Sequence, residues 1–193
     1  MARTALVAAV VWQLFGAVVP AGAAPPDPIV AVVIEDPQGL VRRGLAHAQS
    51  IVFDTYRDAD VAIVWAAGPI EAADRLLTVT FTTTATAPGG LTPDAFGVAP
   101  SPGDGTRGTH AYVFVDRVKG FADEHAVSLG YVLGAAIAHE IGHLLLPPNS
   151  HAAEGIMQPS WHPGQFPPKA AGVPGFPPTQ ARLLRLRARR PIT

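Results

Sequence analysis

The sequence predicts an α/β (α+β) fold: a twisted mixed sheet of about four strands with a backing helix, a long metal-binding helix and a C-terminal helix. Three observations predict it. Two β-branched runs, 29–34 (IVAVVI) and 61–65 (VAIVW), bracket a segment of helical spacing, which is the pattern of a right-handed βαβ crossover. Two more strand-like runs follow at 76–84 and 111–118. After them comes a long apolar segment of helical period, stopped by Pro147 and Pro148, neither of which can donate a helix hydrogen bond.

Composition bounds the rest. A chain of 193 residues holds one well-cored domain. Its 48% hydrophobic and 15% charged content excludes a disordered chain. A net charge of −1 gives no basic surface for nucleic acid or an anionic membrane. There is no cysteine, so a metal would have to be held by nitrogen and oxygen. At the N-terminus, Arg3 precedes an apolar run over 5–19 broken only by Gln13 and Gly16, and Ala21-Gly22-Ala23 supplies small residues. That pattern is expected of a signal peptide, 1–23, with cleavage after Ala23. Pro20 and the small residues follow too soon for a comfortable span, so residues 24–193 are expected as a single exported domain with no stable membrane span.

In chain order, residues 29–34 form a strand buried on both faces. Residues 40–56 place Leu40, Val41, Leu45, Ala48, Ile51, Val52 and Tyr56 at helical spacing. The second strand, 61–65, completes the crossover. Residues 76–84 (LLTVTFTTT) alternate, as a strand with one wetter face does. The glycine- and proline-rich stretch 88–108 reads as a long loop. Residues 111–118 (AYVFVDRV) read as a strand at the sheet edge. The long helix is expected from an N-cap at Asp123 to Leu146, with Gly130, Gly134, Ala138 and Gly142 forming a flat track for close approach to the sheet. A last helix, 179–190, begins at Thr179 and docks through Leu183, Leu184 and Leu186. Its arginines suit a helix C-terminus, a simpler reading than a membrane or acidic-partner surface.

The chemistry is concentrated in 135–157, AAIAHEIGHLLLPPNSHAAEGIM. His139 and His143, four apart on a helix, project from one face and reach one metal ion. Glu140 lies beside that ion without having to bind it, as a base for an activated water must. A catalytic zinc takes three protein ligands. A glutamate from a later helix, used by one large class of zinc peptidases, is excluded because no Asp or Glu follows Glu154. His151 remains, beyond a reversal at Asn149, a residue that tolerates the left-handed region. Asn149 itself is the weaker alternative ligand. His47, His110, His125 and His162 read as surface histidines, with His162 the only one near enough in sequence to approach the metal.

With those residues in hand, the chain resembles the metzincin zinc peptidases, and more closely a secreted bacterial group with HEIGHLLL…SHxxxGIM. The order of strands and helices is similar too. Two positions depart from the family pattern. Leu146 stands where the family has glycine, and Asn149 where it has the third ligand, so His151 comes two residues late. In the closer group a glycine follows the three leucines, where this chain has Pro147. The resemblance implies a Met-turn at Gly155 and Met157 beneath the metal. It implies a monomeric, secreted zinc metalloendopeptidase with Zn2+ on His139, His143 and His151, Glu140 as general base, and a peptide or protein substrate. The substrate is expected to lie extended along the 111–118 strand. A non-catalytic zinc-binding or interaction domain is the alternative, supported by Pro147 and the displaced His151.

Overall fold

The first β-branched run becomes β1 (Ile29–Glu35), with Val30, Ala31 and Val32 fully buried. In the computed structural model, which describes residues 27–87, 94–101, 108–166 and 174–189, β1 pairs in parallel on both sides. Its partners are β2 (Ala62–Ala66) and β3 (Arg75–Thr82). The leader expected at 1–23 lies outside the described residues. So do parts of the 88–108 loop and the chain after Arg189. Among the described residues no helix is long and apolar enough to cross a membrane.

Between β1 and β2 runs α1 (Leu45–Arg57). It starts five residues later than its spacing suggests. Asp36 accepts hydrogen bonds from the backbone N–H of Leu40 and Val41 at 2.7 and 2.9 Å, which holds those residues in a turn. On β3 the predicted alternation is present: Leu77, Val79 and Phe81 are buried, and Leu76, Thr78 and Thr80 are half-buried.

The sheet has five strands, in the order β2-β1-β3-β5-β4. The additional strand, β4 (Gly97–Val98), lies in the stretch read as a loop and pairs antiparallel with β5 (His110–Phe114). The reading of 111–118 as the edge strand is therefore corrected: β5 is covered by β4, and the edge is β4. Residues 115–118 are not strand at all. They open α2 (Val115–Glu124), whose buried Val115, Val118 and Ala122 form a helical stripe that strand alternation of the same letters concealed. Asp116 accepts from the Thr84 backbone N–H and hydroxyl and fixes this start.

The single helix expected from Asp123 to Leu146 is likewise two helices. The Val127 N–H bonds back to the Ala122 carbonyl at 3.0 Å, and Ala126 takes a φ of 52° between them. That is the left-handed stop common at helix ends. α3 (Leu129–Leu145) follows, with Ser128 rather than Asp123 at its N-cap position. The glycine track also faces a different partner. A Cβ at Gly130 would lie 2.8 Å from the Gly44 carbonyl, and one at Gly134 would lie 2.7 Å from Ile51 Cβ. Gly130 and Gly134 thus let α3 approach α1 rather than the sheet, while Gly142 faces Met157.

The last helix, α4 (Pro178–Ala188), has Pro177 rather than Thr179 at its N-cap position. It docks through Leu184 and Ala188, which are fully buried and share one face four residues apart. Leu183 and Leu186 stay 40% and 52% exposed, so they do not dock it.

Candidate metal centre

From Gly130 to Leu145 every residue of α3 is buried except His139 and His143. Burial on nearly all sides leaves these two imidazoles as the open stripe of an otherwise enclosed helix. Their Nε2 atoms lie 3.0 Å apart. His139 Nδ1 is 2.8 Å from the Ile156 carbonyl. A carbonyl only accepts, so the proton sits on Nδ1 and the Nε2 lone pair is free. The Tyr56 hydroxyl donates to the Ala138 carbonyl at 2.9 Å and ties the helix to α1 one residue before His139.

Past Leu146 the two prolines end the helix and Asn149, at a φ of 60°, reverses the chain. The Ser150 hydroxyl bonds back to the Pro147 carbonyl. These steps bring the exposed His151 to within 4.8 and 5.4 Å, ring centre to ring centre, of His143 and His139. One ligand nitrogen from each of the three lies within 4.8 Å of the others. A tetrahedral shell with bonds of about 2.1 Å has an edge of about 3.4 Å, and the exposed His151 side chain can supply that small adjustment. These three residues could hold a metal ion. His47, His110, His125 and His162 do not join them; His162 lies on the cleft rim.

The electrostatics fit a ligand set. Burial lowers the His139 pKa to about 4, with a rise from the Ile156 bond and a further lowering from His151. Burial first, then His139 and His151, lower His143 to about 3. Both imidazoles are therefore neutral near pH 7, the form that binds a metal.

Beneath the histidines the loop closes through the Ala152 N–H to the Met157 carbonyl, 2.9 Å. Met157 is fully buried, and a Cβ at Gly142 would overlap its Sδ. Gly155 has a φ of +82°, and a Cβ there would sit 2.9 Å from Pro177 Cδ. Both features need glycine at those positions.

Glu140 is 5% exposed, and its Oε2 has no hydrogen-bond partner. Burial pushes its pKa up to about 8. Gly97 of the edge strand lies directly against it: a Cβ there would be 2.7 Å from Glu140 Cγ and 2.8 Å from Oε1. Gly97 was not foreseen, because two residues of strand inside a glycine- and proline-rich stretch leave no periodicity to detect. Trp161 also lines the site. Its ring lies 5.5 Å from that of His139 and 5.6 Å from that of Phe96.

The three histidines and Glu140 open into a cleft of about 900 Å³. One rim is 94–101, including β4, and the other is 158–162. The size is that of a site for a sizeable organic ligand. No protein-family model matches the chain, and no curated protein matches it.

Proposed function

We propose that this protein is a secreted, metzincin-like zinc endopeptidase. The observation that carries the reading is the convergence of three imidazoles and one buried carboxyl at the floor of a cleft beside an antiparallel sheet edge. The all-nitrogen donor set and the unpaired Glu140 Oε2 both suit zinc. His139, His143 and His151 would hold the ion, with Gly155 and Met157 forming the turn beneath. Bound there, zinc supplies Lewis acidity that polarises a carbonyl and acidifies water.

The chain's own groups do the rest. Glu140 accepts the proton of the attacking water at Oε2 and returns it to the leaving amine. Its pKa near 8 would keep it neutral at pH 7, unable to act as a base. A neighbouring cation favours the carboxylate and brings it into range. The substrate backbone pairs with β4, whose other side is already bonded to β5. Export rests on the leader expected at 1–23.

Glu140→Gln tests the mechanism. The variant is expected to retain zinc, measured by elemental analysis, and to lose peptide hydrolysis by about 10²- to 10⁴-fold. Retained hydrolysis removes Glu140 from the chemistry. A parent protein that holds zinc but cleaves nothing in a broad peptide library supports the non-catalytic zinc-binding domain instead.

A further inference from the structure

The third histidine belongs to no helix or strand, and two bonds from the C-terminal segment hold its loop from outside. The Ile156 N–H donates to the Gly175 carbonyl at 3.0 Å, while the Ile156 carbonyl is the partner of His139 Nδ1. The Gln180 Nε2 donates to the Ser150 carbonyl at 2.7 Å, one residue before His151. Because that carbonyl only accepts, the amide must turn its nitrogen towards it, and Oε1 is left buried without a partner. Leaving a buried acceptor unpaired is costly, so the Ser150 bond and the packing of α4 must outweigh that cost to hold the side chain there.

Gln180 is itself anchored. It stands in the first turn of α4, whose Leu184 and Ala188 are fully buried. Arg187 Nε bonds the Leu145 carbonyl at the end of α3 at 3.2 Å. One helix thus grips the last turn of the metal helix and the loop of the third histidine together.

We propose that Gln180 is a positioning residue that sets metal affinity through His151. The proposal rests on the metal reading given under Proposed function. Zinc dissociation constants by chelator competition, on the full chain, test it. Gln180→Met keeps the length and removes the donor without adding charge; Gln180→Glu removes the donor isosterically. Both are expected to weaken zinc binding by about 10- to 100-fold, the usual effect of an outer-shell group. In a His151→Ala background, Gln180→Met is expected to change zinc affinity by less than about twofold. Unchanged affinity in both single variants overturns the proposal. So does an equal loss with and without His151, which would mark a general structural role. A parent protein that binds no zinc overturns the metal reading, and this proposal with it.

Discussion

The helix that carries His139 and His143 and the loop that carries His151 place their imidazoles by different physics. On α3 the spacing follows from 3.6 residues per turn, the neighbours of both histidines are buried, and Tyr56 pins the backbone beside His139. The loop has no ladder. It depends on a left-handed Asn149, a few internal bonds such as that from the Ala152 N–H to the Met157 carbonyl, and two bonds from the C-terminal segment. Two candidate ligands are therefore fixed by local structure, and the third by packing from elsewhere in the chain.

The strongest way to break this contrast is to remove one ligand from each region. His143→Ala is expected to bring the zinc content of purified protein to background. His151→Ala is expected to leave weak binding by the helical pair, with affinity down by more than the roughly 100-fold typical of an outer-shell loss. Isothermal titration calorimetry with zinc reads both. If the two variants lose affinity equally, the loop ligand is as preorganised as the helical one, and the contrast fails.

The same division explains what the sequence revealed. His139, Glu140 and His143 were legible because a helix converts spacing into geometry without help from the rest of the fold. His151 was reached only by eliminating later carboxylates, and nothing in its own neighbourhood pointed to Gln180, thirty residues on from Ser150. The βαβ unit was legible from two buried runs. The edge was not: β4 is two residues long, and Val115–Val118 satisfies strand alternation and a helical stripe equally well. What decided that segment was a tertiary bond from Thr84 to Asp116, which no local pattern encodes. The glycine track announced a close approach but did not name the partner, since small residues serve helix and sheet alike.

A smaller effect is expected where the two regions touch. In Gly142→Ala the new methyl would meet Met157 Sδ, and overpacking of this kind costs about 1–3 kcal/mol. Removing a helical glycine returns roughly 1 kcal/mol, so the net should be destabilising. At Gly120 in α2 a Cβ meets nothing within 4 Å, and Gly120→Ala is expected to stabilise the fold by up to about 1 kcal/mol. Urea midpoints read both. A stabilised Gly142→Ala would show that Met157 yields easily and that loop and helix are less tightly fitted than their contact suggests.

The last effect concerns the buried carboxyl of α3 in the metal-free protein. Burial raises the Glu140 pKa to about 8 in the fold, against an ordinary value near 4.3 in an unfolded chain. Between those values the unfolded chain has released a proton that the folded chain keeps, so stability falls as pH rises from about 5 to 8. Above 8 both states are ionised and the loss is complete. His139 and His143 act in the opposite direction: they stay neutral in the fold to about pH 4 and 3, so their contribution is lost as pH falls below about 6.5. Glu140→Gln removes only the first effect. The difference in thermal midpoint between variant and parent, measured with a chelator present, should therefore favour the variant increasingly from pH 5 to pH 8 and level off above it. A difference independent of pH would mean that Glu140 is ionised in the fold even without a metal. The floor of α3 would then be no more enclosed than the loop beside it.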